Sequence, residues 1–155
     1  MRDLLELNRR IVEHWLGPVD VKQEAYLAHI AVCLGELAPS ADELMRLLAA
    51  PDGGTVRAVR LNRRYLCFAR LAAKEIAADR PEDLVKLGVD LAQAEILRRL
   101  TDEEVDRLAF VYGGPIVRFA RETFERGAAL HERAALLHAV AFVATRLVER
   151  KRRRS

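Results

Sequence analysis

Residues 61–119 carry one long amphipathic helix pattern followed by three short ones, and no part of the chain shows strand-like alternation. Apolar residues recur at three- and four-residue steps, as in helices that pack one face on a core. Pro81, Gly88, the Asp90/Gln93 pair and the Thr101/Glu104 pair are helix start and stop signals. Short helices are marginal alone in water. We therefore predict an all-α protein in which a long helix supports short capped helices.

The strongest break in the sequence is Pro-Asp-Gly-Gly at residues 51–54. Three helix patterns precede it, at residues 4–16, 21–37 and 41–50, with Ser40 as the N-cap of the third. The long helix is predicted from about Thr55 to Ala78, and a last helix from about Ala128 to Arg150. We predict a helical extension over residues 1–52, a helical domain over 53–150 and a basic tail over 151–155.

The positive net charge of +3 comes from the C-terminal end of the chain. Lys and Arg total 26 against 23 acidic residues, and five of the 26 are consecutive, so the rest of the chain is slightly acidic. Such a tail either contacts phosphates or is a solvated helix end. The candidate phosphate contacts are Arg150, Lys151, Arg152, Arg153 and Arg154.

The sequence has no membrane or secretion signal, which favours a cytoplasmic protein. Its apolar stretches fall short of the roughly 20 residues of a spanning helix, and the N-terminal segment is too polar for a signal peptide. Cys33 and Cys67 lie 34 positions apart in apolar helix patterns. We expect both to be small buried residues in a reducing compartment.

Catalytic, cofactor and metal-binding motifs are missing from the sequence. His131 and His138 share a face of the last helix, but no carboxylate or cysteine completes a ligand pattern beside them. Glu103 and Glu104 lie in a first helical turn, where negative charge is favourable without a catalytic role. We therefore predict a protein that is not an enzyme and that binds neither metal nor cofactor.

Direct DNA reading by a helix-turn-helix is possible on spacing but disfavoured on charge. Residues 81–112 contain short helices joined by tight turns, as that motif requires. The helix after Thr101, however, begins with Asp102, Glu103 and Glu104. These carboxylates would repel DNA, so packing is the preferred role of the segment.

The last predicted helix contains AALLHAVAFVA at residues 134–144, in which His138 is the only strongly polar residue. A helix that is apolar all round must be covered on several sides. Eleven residues are too few to span a bilayer. Burial in a core or in an oligomer interface remains, and we favour the interface because a small domain encloses little surface.

Residues 56–148 resemble the family of the flagellar transcriptional regulator FlhD. The matching features, in order, are Leu61, Tyr65, Leu66, Ala69, Leu87-Gly88-Val89, Leu100-Thr101, Leu108-Ala109, Arg118-Phe119, His138 and Thr145-Arg146-Leu147. The resemblance implies an all-helical protein, intertwined or packed as a homodimer, that lacks enzymatic activity. It also implies docking to an FlhC-type subunit that makes most of the contact with promoter DNA.

Two features depart from the family pattern. The family lacks an extension like residues 1–52, and its cysteine just before the Arg118-Phe119 region has no counterpart here. A disulfide-linked dimer at that point is therefore not expected. We expect the dimer to be held by hydrophobic burial. The candidate anchors are Phe68, Leu71, Phe119, Phe142 and Leu147.

Three functions stay open at this stage. The first is an FlhD-like transcription regulator subunit controlling flagellar gene expression. The second is a homo-oligomeric helical adaptor without transcriptional activity, and the third is a direct DNA binder that uses the basic tail.

The sequence Leu-Asn-Arg-Arg occurs twice, at residues 7–10 and 61–64. The repeat suggests a duplicated first helix. Four common residue types also recur by chance, so both explanations stay open.

Overall fold

Over residues 2–49, 58–76 and 80–153, which the computed structural model describes, the chain forms nine α-helices and two three-residue strands. The predicted all-α class is confirmed. In chain order the elements are α1 (Arg2–Leu16), α2 (Val21–Leu27), β1 (Gly35–Leu37), α3 (Ala41–Ala49), α4 (Val59–Glu75), α5 (Pro81–Leu87), α6 (Leu91–Arg99), α7 (Asp102–Val111), β2 (Val117–Phe119), α8 (Arg121–Ala128) and α9 (Glu132–Arg152).

The chain divides into two compact units. The terminal unit comprises Met1–Gly35 and Phe119–Ser155, and the central unit comprises Glu36–Arg118. The predicted break at residues 51–54, and with it the boundary between residues 52 and 53, lies outside the described residues. The two units divide the chain at other positions, so residues 1–35 belong with α8 and α9.

In the central unit, α4 is the platform on which α6 and α7 pack. Its buried side chains recur at three- and four-residue steps, which places them on one face; they are Leu61, Asn62, Tyr65, Leu66, Ala69 and Ala73. The predicted start of this helix at Thr55 and its last two predicted residues lie outside the described ranges. The platform role that the sequence predicted is confirmed.

The short helices of the central unit end and begin at the predicted caps. Gly88 closes α5 with a left-handed φ of 75°, which glycine adopts without strain. Asp90 with Gln93 and Thr101 with Glu104 form capping boxes at the starts of α6 and α7. Each box satisfies two backbone N–H groups that the helix leaves without a partner, and this fixes where each helix begins.

The predicted helix over residues 21–37 is wrong beyond Leu27. Residues 28–34 leave the helix, and β1 pairs with β2 in a two-stranded sheet. The apolar run at residues 30–34 is compatible with a buried extended segment as well as with a helix. Periodicity alone does not separate the two conformations. In this protein, a side chain of α1 makes hydrogen bonds with backbone groups of this segment that helical hydrogen bonds would otherwise satisfy.

That side chain is Asn8, which is buried. Its amide group donates to the carbonyl oxygen of Val32 at 2.9 Å, and its carbonyl oxygen accepts from the N–H of Leu34 at 2.8 Å. Both bonds lie within the terminal unit. They hold the extended segment immediately before β1, and we call this arrangement an Asn clamp.

A second Asn clamp lies in the central unit, made by Asn62 of α4. Its amide group donates to the carbonyl oxygens of Gly114 at 2.7 Å and Ala109 at 3.1 Å, and its carbonyl oxygen accepts from the N–H of Ile116 at 2.7 Å. As in the first clamp, the bound carbonyl (Gly114) lies two residues before the bound N–H (Ile116). The strand, here β2, again begins at the residue that follows the bound N–H. The chain contains asparagine at positions 8 and 62 alone.

The neighbouring arginines of the repeat also have matching roles. Arg9 of α1 pairs with Glu24 of α2 at 2.7 Å, and Arg63 of α4 pairs with Asp106 of α7 at 2.8 Å. In each unit the acceptor lies on the helix that leads into the clamped segment. The four-residue repeat is therefore a repeat of structural roles, which favours duplication over chance.

Candidate interaction surface

An aromatic cluster forms the centre of the terminal unit. The ring of Tyr26 lies 5.4 Å from that of Phe124 and 5.8 Å from that of His138. Phe119 extends the cluster, with its ring 5.7 Å from Phe124 and 5.5 Å from Trp15. Tilted and edge-to-face contacts at these separations add to the burial energy of the rings. The cluster positions α9 against α2 and α8.

One polar contact ties this cluster together. The Tyr26 hydroxyl oxygen and His138 Nδ1 lie 2.7 Å apart in a hydrogen bond. Burial raises the pKa of Tyr26 to about 12, because the phenolate would lose its hydration. Gly127 of α8 passes so close that a Cβ there would overlap both the Tyr26 ring and His138 Nδ1. The contact is built for packing, since a neutral phenol paired with an imidazole is not an activated nucleophile.

The described residues contain no cluster of three or more His, Cys, Asp or Glu side chains that could hold a metal ion. No helix within those residues is long and apolar enough to cross a membrane.

A groove of about 750 Å³ opens between α2 and the start of α9 in the terminal unit. Val21, Leu130 and Leu136 line it with apolar atoms, and all three are exposed. Lys22, Glu132 and Arg133 also line it. The groove is an apolar surface with charged side chains of both signs.

A second apolar surface runs along α9, facing away from the aromatic cluster. Leu137 is 64% exposed, Val140 59% and Val148 50%. Ala141 and Ala144 lie exposed between them. We call these five residues the α9 face. The α9 side chains that the unit does bury, Ala135, Ala139 and Phe142, lie elsewhere around the helix.

Charged residues are confined to the two ends of α9. Between Arg133 and Arg146 the helix has no Asp, Glu, Lys or Arg. Its first turn carries Glu132, and its last turns carry the acidic Glu149 and the basic residues Arg150, Lys151 and Arg152. A helix face of this kind, apolar in the middle and charged at the ends, is typical of protein association.

The sequence-predicted anchor residues are divided between the two units. Leu71 of α4 is 57% exposed in the central unit, and Phe68 beside it is half-buried. Phe142 is 6% exposed, with the Arg146 guanidinium carbon 5.5 Å from its ring centre, so it belongs to the core of the terminal unit. Phe119 is half-buried in the aromatic cluster and Leu147 is half-buried on α9.

Arg150 corrects the predicted set of phosphate contacts. It is 6% exposed and donates to the carbonyl oxygens of Cys33 at 2.8 Å and Gly35 at 3.5 Å. A guanidinium held by buried carbonyls does not face a nucleic acid. Lys151, Arg152 and Arg153 are exposed, while Arg154 lies outside the described residues.

Cys67 corrects the prediction of two buried cysteines. Cys33 is buried in the terminal unit, whereas Cys67 is exposed on α4. The buried residues of α4 lie on the other side of that helix, which composition alone does not reveal.

No protein-family model matches this chain. Comparisons with curated proteins and with solved structures also return no significant match.

Sequence reasoning missed the Asn clamps, the Tyr26–His138 contact and the particular face of α9 that stays exposed. The last had a readable signal. Residues 137, 141, 144 and 148 are apolar at alternating four- and three-residue steps, which is the spacing of a helix-pairing seam. The clamps and the Tyr26–His138 contact join residues far apart in sequence and leave no local signal.

Proposed function

We propose that this chain is a transcription regulator subunit of the FlhD type. In this proposal it forms a helical homodimer and docks to a DNA-binding FlhC-type partner, through which it controls flagellar gene expression. The resemblance of residues 56–148 to that family motivates the transcriptional part. The α9 face, an exposed apolar surface with charged ends, is the observation that carries the proposal of protein association.

The distribution of charge supports delegating DNA contact to a partner. The first turn of α7 carries three carboxylates, and Asp102 is engaged by Arg70 at 2.6 Å. That pairing lowers the pKa of Asp102, so the carboxylate stays charged. Carboxylates at the start of α7 would repel the phosphates of DNA. In the basic tail, the side chain of Arg150 is buried and donates to the carbonyl oxygen of Cys33, so it is not available for phosphate.

The test measures binding of a fluorescently labelled flagellar promoter duplex by anisotropy. The full chain is assayed alone, with an FlhC-type subunit, and with that subunit in the presence of a shuffled duplex. We expect the chain alone to bind weakly and without preference, and to raise the partner's promoter affinity at least tenfold. The shuffled duplex controls for general attraction between charges.

The alternatives give different outcomes in the same experiment. Promoter binding by the chain alone, falling steeply with salt and abolished by deleting residues 151–155, would support a direct DNA binder. No effect on the partner's promoter affinity, with self-association intact, would support the homo-oligomeric adaptor and contradict the regulator.

A further inference from the structure

The groove between α2 and the start of α9 has a preformed floor. The buried residues Tyr26, Ala128 and Ala135 line it. The ring of Tyr26 is held in place by its contact with Phe124 and by its hydrogen bond to His138. Side chains that are already fixed bind a ligand without a large entropic cost of ordering.

The upper part of the same groove exposes large apolar side chains. Val21 is 86% exposed, Leu136 42% and Leu130 38%. The groove volume of about 750 Å³ lies within the range of about 300–1,000 Å³ that is typical of small-molecule sites. An apolar ligand body that covers these side chains would release the water around them.

The charged side chains that line the groove carry one positive charge in excess. Lys22 and Arg133 contribute two positive charges at neutral pH, and Glu132 contributes one negative charge. In the part of the chain that the structure describes, none of the three forms an ion pair or a side-chain hydrogen bond. His29 and His131 also line the groove, and each imidazole adds an N–H donor.

We infer that this groove binds a small amphipathic carboxylate, a molecule with one carboxylate group on an acyl or aryl body. The carboxylate binds beside Arg133, whose guanidinium can donate two parallel hydrogen bonds to it. His131, the N-cap of α9, gives no side-chain hydrogen bond to the first turn, so backbone N–H groups there add donors. The apolar body covers Val21 and Leu136. This site does not depend on the proposed function.

The charge and size of the groove disfavour other classes of ligand. Glu132 would repel a ligand with several negative charges, such as a nucleic acid or a polyphosphate. A folded protein partner is also a poor fit, because each side of a stable protein interface uses roughly 20–30 residues and the groove offers fewer.

Titration of the full chain with a fluorescent fatty acid, dansylamino-undecanoate, tests the site. Dansyl emission increases and shifts to the blue when the group enters an apolar surface. The neutral primary amide of the same molecule is the comparison, because it keeps the body and removes the charge. We expect the carboxylate to bind at least tenfold more tightly than the amide. This preference should shrink as NaCl is raised.

Val21→Asp tests the apolar wall, and Leu91→Asp is its matched control in the central unit. Val21 follows the capping residue Asp20 at the start of α2, and Leu91 follows Asp90 at the start of α6. Both side chains are at least half exposed, and Asp is favourable in a first helical turn. We expect Val21→Asp to weaken probe binding at least tenfold and Leu91→Asp to change it less than twofold.

Arg133→Glu tests recognition of the carboxylate. Arg126→Glu makes the same change in charge at an exposed arginine of α8 that does not line the groove. We expect Arg133→Glu to abolish the preference for the carboxylate while amide binding changes less than threefold. Arg126→Glu should retain the preference. Circular dichroism checks that all four variants keep the helical content of the wild type.

Three results would overturn the inference. They are equal binding of the carboxylate and the amide by the wild type, equal effects of Val21→Asp and Leu91→Asp, and no binding of the probe. If a labelled acidic amphipathic peptide binds the wild type but not Val21→Asp, and the probe binds neither, the groove is a peptide-docking site instead. The FlhC-type subunit and promoter DNA are absent throughout, so failure here leaves the regulator proposal standing, and failure of the regulator leaves this site.

Discussion

The terminal and central units both hold an extended segment with an asparagine side chain, but they differ in the number of hydrogen bonds that this side chain makes. Each uses an asparagine on a helix to hold the extended segment before a strand, but Asn62 makes three bonds where Asn8 makes two. The central unit spans four helices between its clamp residue and the clamped segment, whereas the terminal unit has only α1 and α2.

Aromatic ring contacts differ between the two units in the opposite sense, because the terminal unit has more of them. In the terminal unit, Trp15, Tyr26, Phe119, Phe124 and His138 are in ring contact, and the central unit has no such ring contact among its described residues. The central unit instead packs aliphatic side chains and the buried Tyr65 against one long helix.

Removing the Asn clamps should give the largest losses of stability, and the loss should be greater in the central unit than in the terminal unit. We expect Asn62→Ala to lower the free energy of unfolding by roughly 3 kcal/mol and Asn8→Ala by roughly 2 kcal/mol, because each leaves buried backbone groups without partners. Urea denaturation measures the totals. Amide hydrogen exchange measures the local loss, at the Ile116 N–H in the first variant and the Leu34 N–H in the second.

Unchanged exchange at Leu34 in Asn8→Ala would show that the two clamps are not equivalent. Each variant also controls for the other, because its clamp amide lies in the unit that the other substitution leaves intact.

The aromatic cluster of the terminal unit should be intolerant of one added carbon. Gly127→Ala places a Cβ against the Tyr26 ring and His138 Nδ1, and we expect a loss of about 1–3 kcal/mol from overpacking. Gly114→Ala is the matched control in the central unit, because no atom lies within 4 Å of its added Cβ and its φ is not left-handed. Equal losses in thermal melts of the two variants would contradict the packing described around Gly127.

The sequence predicted those parts of both units that depend on neighbouring residues. Helix caps at Gly88, Asp90 and Thr101 were predictable because a cap needs side chains only one turn away. The end of α2 was not, because the hydrogen bonds that compete with the helix come from Asn8, which lies on α1. An apolar run of five residues carries no signal that separates these two outcomes.

The candidate surface was predictable to the same extent. The apolar length of α9 indicated burial or association, and the structure shows that the helix has both a buried side and an exposed one. Which residues fall on each side depends on which side chains of α9 the terminal unit buries, Ala139 and Phe142 among them. That information is tertiary, as is the burial of Arg150 against the carbonyl of Cys33.

A moderate effect should appear at high pH in the terminal unit. The pKa of Tyr26 rises from about 10 in the unfolded chain to about 12 in the fold, so the stabilisation is complete below pH 10 and is lost as pH rises toward 12. We expect a decrease of about 1–2 kcal/mol across this interval. Tyr26→Phe removes the titrating group while keeping the ring.

Urea titrations of both proteins at several pH values isolate the contribution of Tyr26, because other lysines and tyrosines titrate equally in each. An identical pH dependence in wild type and Tyr26→Phe would show that the buried phenol does not cause the decrease.

The smallest expected effects come from the arginines of the repeat. Double-mutant cycles on Arg9 with Glu24 and on Arg63 with Asp106 should give coupling energies of about 0.2–1 kcal/mol, since both pairs are solvent-accessible. The Arg9 pair should couple more strongly, because its side chains are less exposed. Coupling should shrink in 1 M NaCl, and a cycle that does not respond to salt would argue against an ionic origin.

The terminal unit is made of two separate parts of the chain, so its two parts are synthesised at different times. Its first part, with α1 and α2, is synthesised before the whole central unit, and its second part, with α8 and α9, comes last. On a ribosome that adds about 5–20 residues per second, α1 and α2 wait several seconds for the rings of Phe124 and His138. During that wait the ring of Tyr26 lacks the Phe124 and His138 side chains that cover it in the folded unit.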